Sequence, residues 1–230
     1  MNTRFDARYL LRLDFNFRFS YSINNRPVSY YERDMPRPDV SDERIPQILD
    51  AATRIFSEYG IDAASMSQIA NASDISKATI YHYFASKDAL IMALVQRLFD
   101  ANQPELEYLT AEDSPAIDRL HAYSTDLVAL LEHNQALIPI IAEIRARADR
   151  MEAIQSIIST NFVKYIQAFT TIIHQGIERG ELRESVDAGA AALAYVALIE
   201  GAILIAQHTD QSLESVMSTS MDIFLTGLKQ

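Results

Sequence analysis

Residues 65–87 read Ser65-Met-Ser-Gln-Ile-Ala-Asn-Ala-Ser-Asp-Ile-Ser-Lys-Ala-Thr-Ile-Tyr-His-Tyr-Phe-Ala-Ser-Lys87. This stretch decides the fold. Ser65 is a good helix N-cap, and Gln68 three residues on completes a capping-box pattern. Met66, Ile69 and Ala70 then recur at helical spacing on one face. Asn71 to Ile75 is a cluster of turn formers, with Asp74 placed where the chain needs a left-handed or bridge conformation. Ser76 can cap a second helix that buries Ile80 and Phe84 and offers Lys77, Thr79, His82 and Tyr83 to the outside. Two short helices joined by a polar turn describe a helix-turn-helix over about residues 65–84.

Working outward from it, Ser41 starts a preceding helix. Ile45, Ile48, Leu49, Ala52, Ile55, Phe56 and Tyr59 follow the spacing of one buried stripe. Pro46 is read into the first turn, where its missing N–H does no harm, and Gly60 stops the helix. Ser86 caps a further helix carrying Leu90, Ile91, Leu94, Val95 and Leu98. That helix leads from the reading head into the body, so a shift at its far end can re-aim the head.

These residues carry a family resemblance. The run Ser76-Lys-Ala-Thr-Ile-Tyr-His-Tyr-Phe84, followed by Ser86-Lys87-Asp88-Ala89-Leu90, resembles the recognition helix of TetR-type transcriptional regulators. Arg54-Ile55-Phe56, Tyr59-Gly60 and Met66-Ser-Gln-Ile-Ala70 are similar to that family's first two helices. The likeness covers about residues 43–99, with one departure: Asp74 stands where the family commonly has glycine. The resemblance implies an all-α fold, with a three-helix DNA-binding domain over 41–100 and an effector-binding and dimerisation domain over 101–230.

Composition sets bounds of its own. The chain has 230 residues, 49% of them apolar, with six glycines and seven prolines. That is enough apolar material for a substantial core. Cysteine is absent, which excludes a disulfide framework and thiolate metal sites. No run reaches the roughly 18 uninterrupted apolar residues of a membrane span; the richest, 188–206, is broken by Glu200. The expectation is a soluble cytoplasmic protein without a membrane partner.

The net charge of −11 argues at first against nucleic acid. Its distribution answers the objection. Lys and Arg stand seven against six Asp and Glu in residues 1–42, five against six in 43–98, and eight against nineteen in 99–230. The acidic excess lies in the body, behind a near-neutral reading head. Phosphate contacts are then modest, and specificity must come from geometry and dimerisation.

Residues 1–34 hold six arginines, and apolar and polar residues alternate from Leu11 to Ile23. Residues 1–40 are read as an N-terminal extension, non-native or disordered, with Met35 as the alternative start. A basic arm for the DNA minor groove and a strand for self-association stay open. Pro36 and Pro38 mark a linker.

Beyond Pro104 the composition turns to long acidic helices, read over 115–133, 135–147, 151–179, 187–209 and 211–228. The third carries a wide apolar stripe from Ile154 to Ile177 and ends at Gly180. The fourth is rich in alanine and glycine, which permits close helix approach. The resemblance implies a homodimer through the last two helices, about 187–228.

For double-stranded DNA as partner, Ser65 and Ser67 can donate to phosphates beside free backbone N–H groups. Lys77 can reach guanine O6/N7 or a phosphate, and Thr79 can hydrogen-bond or set its methyl against thymine. Tyr81 packs inward or contacts phosphate. The resemblance adds Ala78 to this surface, aromatic backbone contacts for His82 and Tyr83, and a phosphate-binding role for Lys87. It also implies an effector pocket within 105–180. The candidate polar groups there are His121, Tyr123, His133, Arg145, Tyr165 and His174, for an apolar or amphipathic small molecule. No catalytic residue, metal site or cofactor is read. There is no glycine-rich phosphate loop and no paired Glu-x-x-His motif, and His174 with Glu178 on one helix face does not make a site. The reading is a ligand-responsive DNA-binding regulator acting as a repressor. The alternative is a dimeric helical adapter, which leaves Lys77, Thr79 and Lys87 without a purpose.

Overall fold

The computed structural model describes residues 41–229 apart from 102, 112, 135 and 136. The readings made on residues 1–40 lie outside that range. Ten helices and no strand occur among the described residues. They are α1 (Ser41–Tyr59), α2 (Met66–Ser73), α3 (Lys77–Tyr83), α4 (Lys87–Asp100), α5 (Gln103–Ala111), α6 (Ala116–His133), α7 (Leu137–Ala148), α8 (Glu152–Glu178), α9 (Ala188–His208) and α10 (Leu213–Leu228). The chain divides into two compact units, one ending at Leu90 and the other beginning at Ile91. The boundary therefore falls inside α4, ten residues before the sequence-based division at 100.

In the first unit the stripe of α1 is buried as its spacing required, from Ile48 to Phe56, against Ile61, Met66, Ile69, Ile75, Ile80 and Phe84. Tyr59 departs from the stripe and is 47% exposed. Pro46 lies inside α1 rather than in its first turn, because the helix already begins at Ser41. Its missing N–H leaves the Asp42 carbonyl without its usual helical donor. Gly60 ends α1 at φ 77°, where a Cβ is strained.

The second unit is built around α8, which packs against α5, α6, α7 and α9; α10 closes the bundle on α6 and α9. Leu120, Tyr123, Phe169, Ile172, Ile173, Tyr195, Met217, Met221 and Leu225 fill the core. Gly176 permits a close approach: a Cβ there would stand 2.6 Å from the Ala116 Cβ. Just beyond it, Gly180 takes φ 71°. Glu181 N–H donates to the Gly176 carbonyl and Gly180 N–H to that of Ile177, the paired bonds of a Schellman stop. The same turn serves α6. Pro115 cannot cap that helix with its side chain, and the Glu181 carboxylate accepts the Ala116 N–H at 2.6 Å instead.

Two elements differ from the expectation. α5 is not among the helices expected from the sequence, which begin at 115 beyond Pro104; proline at its second helical position is compatible, since that backbone N–H has no partner inside the helix. α9, despite Glu200, is long and apolar enough to cross a membrane by length and composition, with mean hydropathy 2.0. Its apolar residues divide between two sides. Ala191, Ala192, Tyr195, Val196, Ile199, Ala202 and Ile203 enter the core, while Leu193, Leu204 and Ile205 stay exposed.

Candidate nucleic-acid interface

The reading head is held by reciprocal caps. Ser65 Oγ accepts the Gln68 N–H at 3.2 Å, and the Gln68 side chain accepts the Ser65 N–H at 2.9 Å, which closes the capping box at the start of α2. At the other end Asp74 adopts φ 53°, ψ 35°, the left-handed conformation that the turn demanded. Ile75 N–H reaches the Ala70 carbonyl and Asp74 N–H that of Asn71, again a Schellman pair. Helix α1 adds two donors: Gln47 Nε2 to the Ser73 carbonyl at 2.6 Å and an Arg54 guanidinium nitrogen to the Ala72 carbonyl at 2.9 Å. These satisfy α2 carbonyls that have no helical donor. Apolar periodicity marks neither role, because both residues lie on the polar flanks of the α1 stripe; Arg54 enters the sequence reading only through the family resemblance.

Ser76 caps α3 by accepting the Thr79 N–H at 3.0 Å, and its Oγ lies 2.7 Å from Thr79 Oγ1. Ile80 is fully buried beneath. Ser65, Ser67, Lys77, Ala78, Tyr81 and His82 are exposed, and Thr79 and Tyr83 half-buried. The head thus offers polar and aromatic side chains of α3 and the start of α2 to the outside. Tyr81 does not pack inward: it is 44% exposed, with the Lys77 ammonium 6.0 Å from its ring centroid, the outer limit of a cation–π contact. His82 meets Tyr83 edge-on at 5.5 Å. Lys87 differs from the rest of this surface. Its ammonium donates to the carbonyls of Ile61, Asp62 and Ala64 at 2.8, 3.0 and 3.0 Å.

In the body, two of the six candidate pocket residues come together. Tyr123 and Tyr165 stand 6.4 Å apart, ring centre to ring centre, and both adjoin Phe169. Phe99 and Phe162 extend this aromatic cluster on one side, and Tyr195 and Phe224 on the other. The three histidines do not join it. His121 is exposed and lies 3.3 Å from Asp222. His174 is exposed beside Glu178 at 3.3 Å, and His133 is exposed in the last turn of α6. Histidine identity gave no information on which helix face each would occupy. Arg145 forms a half-buried ion pair with Glu200 of α9. Burial raises the Glu200 carboxyl above its ordinary range, and the opposing pull of Arg145 does not cancel this. A separate cleft of about 450 Å³ is lined by Glu132, Ile138, Ile203, Gln207 and Leu213 among others. Among the described residues no group of His, Asp and Glu side chains could hold a metal ion.

Arg119 was not anticipated. It is 1% exposed in the core, donating to the Leu109 carbonyl at 3.1 Å and to Gln175 Oε1 at 2.6 Å. A buried arginine leaves no mark in an apolar-periodicity reading beyond interrupting it.

Known proteins share this architecture. A family model for bacterial regulatory proteins of the tetR family matches residues 48–94, and one for the C-terminal region of QacR-like proteins matches residues 107–230. The fatty acid metabolism regulator protein of Bacillus subtilis is 25% identical over 187 residues, 79% of this chain and 94% of that protein. The crystal structure of a TetR transcription regulator from Haloarcula marismortui superposes with a TM-score of 0.74 at 23% identity, covering 82% of this chain and 99% of that one. That of the regulator FadR from Bacillus subtilis in complex with stearoyl-CoA gives 0.68 at 22% identity, covering 79% and 98%; at such identities both structures speak for the fold. With one family model over the reading head and another over the helical body, the chain belongs to the TetR family of bacterial regulatory proteins and is a ligand-responsive, DNA-binding transcriptional regulator.

Proposed function

We propose that this regulator is a homodimeric repressor that holds a palindromic operator until a small apolar or amphipathic effector releases it. The observation that carries the DNA half is the outward face of α2 and α3. Lys77, Tyr81 and His82 are exposed and Thr79 half-buried, on a helix capped at its start by Ser76 and closed at its end by the Phe84 N–H on the Ile80 carbonyl. Two such helices enter successive major grooves about 34–36 Å apart. Ser65, Ser67, Ala78 and Tyr83 complete the proposed contact set.

Dimerisation through α9 and α10 is supported by the exposed side of α9, where Ala190, Leu193, Ala194, Ala197, Leu204 and Ile205 recur at helical spacing. Gly201 lies in the same register, and a Cβ there would meet nothing within 4 Å. Packing within the chain therefore gives no reason for glycine at that position, whereas a closely crossing partner helix does.

The proposed effector region is the aromatic cluster around Tyr123 and Tyr165. The name of the Bacillus subtilis relative and the stearoyl-CoA complex of the fold neighbour make a long-chain acyl thioester the first probe. Effector binding favours a different head separation, with a coupling of about 1–3 kcal/mol that weakens operator binding some 5–150-fold. In this reading the protein acts in the cytoplasm and has no enzymatic activity.

Binding of the purified full chain to DNA from its own upstream region, at stated salt and with and without stearoyl-CoA, tests this. The expected result is saturable binding to an inverted repeat, abolished by Lys77→Ala/Thr79→Ala and weakened by the thioester. Dimers without sequence preference on any duplex favour the adapter reading; operator affinity unmoved by every ligand the protein binds removes the induction model.

A further inference from the structure

The geometry points to Lys87 as a positioning residue that acts on DNA through α2 instead of contacting a phosphate itself. An ammonium carries three donors and no acceptor, and here three backbone carbonyls receive it, those of Ile61, Asp62 and Ala64. All three belong to the turn between α1 and α2. Ala64 immediately precedes Ser65, the cap of α2. Lys87 is also the first residue of α4, where a cation faces the positive end of the helix dipole. The carbonyl oxygens supply the negative partner that this placement otherwise lacks. Lys87 therefore ties the start of α4 to the start of α2. The exposed phosphate donors of the proposed interface, Ser65 and Ser67, sit just past that tie. An ammonium turned outward to a phosphate would give up these three bonds and release the turn that orients both serines.

The inference rests on the proposed phosphate contacts of Ser65 and Ser67, and three readouts on the full chain separate it from them. Lys87→Arg keeps the charge, but its planar fork cannot direct donors to the same three carbonyls. We expect Lys87→Arg and Lys87→Gln both to lose about tenfold in operator affinity, the scale of one charge-assisted hydrogen bond. The salt slope of Lys87→Arg stays at the wild-type value. A positioning role further requires non-additivity: on a Ser67→Ala background the Lys87→Arg change costs clearly less than its tenfold on wild type, because only the Ser65 contact is left to misplace, whereas a general loss of stability would act in full on either background. In the protein without DNA, amide exchange over residues 64–67 is faster in Lys87→Arg than in wild type, while circular dichroism shows the fold retained. The inference is overturned if Lys87→Arg binds like wild type while Lys87→Gln lowers the salt slope by about 0.9, the signature of one lost phosphate contact. Unchanged exchange over 64–67 overturns it as well, and that arm stands even if the wild-type chain binds no duplex.

Discussion

The hydroxyl oxygen of Ser76 lies 2.7 Å from that of Thr79, and the same Ser76 oxygen accepts the Thr79 backbone N–H. The cap of the recognition helix thus engages the hydroxyl of a residue expected to read bases. That contact occupies part of the hydroxyl's hydrogen-bonding capacity and leaves the methyl group free, so the expectation is that Thr79 reads a thymine methyl.

Thr79→Val should accordingly keep the operator preference, and Thr79→Ser should weaken binding by about 1 kcal/mol, the lower end for one base contact. Replacing operator thymines one at a time by deoxyuridine gives the check. Wild type and Thr79→Val should lose affinity at a common position where Thr79→Ser is indifferent. A Thr79→Ser protein that binds as wild type, beside a Thr79→Val protein that does not, would show that the hydroxyl does the reading.

Asp74 carries the only positive φ among the described non-glycine residues. Aspartate tolerates the left-handed region and β-branched residues do not. Asp74→Val should lower stability by about 1–2 kcal/mol and weaken operator binding, because the turn sets α3 relative to α2. Asp74→Gly should change stability by less than about 1 kcal/mol, since relief of the side-chain penalty is offset by a freer unfolded chain. Urea unfolding measures both, and a valine variant as stable as wild type would contradict the account.

Asp74 also shows why the head was legible in the sequence. Most of its helix ends carry a local signal: Ser65 with Gln68, Ser76, Ser86, Gly60 and Asp74 itself. Such signals act over three or four residues and survive without tertiary information. The body gave up its long helices through periodicity, but not which polar groups would share a space. His121, His133 and His174 faced solvent, whereas Arg119 went inside, because the choice of face depends on partners 56 residues away, as Gln175 is from Arg119. Lys87 is a related case. A lysine at a helix start near proposed phosphate contacts reads as a phosphate ligand, and only the path of residues 61–64 shows where its donors go.

Glu200 supplies a pH-dependent prediction. Burial raises its carboxyl above the usual 4.5, with Arg145 pulling the other way. A carboxyl that is harder to ionise in the folded state contributes most below 4.5, and its contribution falls as pH rises through the raised value. Glu200→Gln keeps the shape and cannot ionise. Its melting temperature relative to wild type should therefore climb between about pH 4.5 and pH 7, other titrations cancelling in the difference. Arg145→Gln leaves the half-buried carboxylate without its cation, so its relative melting temperature should fall over the same interval. A Glu200→Gln difference that is flat or declining with pH would refute the sign.

The exposed side of α9 together with Ile223 of α10 makes the last prediction. Ile223 is 71% exposed and Leu204 53% exposed, and each lies on a helix whose opposite side is already committed to the core. Large apolar groups left outside in register mark an interaction surface. Leu204→Glu/Ile223→Glu touches no core contact and should leave the helical signal and the melting profile of the subunit intact. In an interface between copies it places four carboxylates against apolar surface, a desolvation burden that dimers do not tolerate. Light scattering should then report 25.9 kDa instead of twice that mass. Operator binding should fall with it, because two heads on one dimer engage two half-sites at an effective concentration that free monomers at micromolar levels do not reach. A charged variant that remains dimeric would move the interface elsewhere on the body. A monomer that binds the full operator as tightly as wild type would mean that one head reads the site alone.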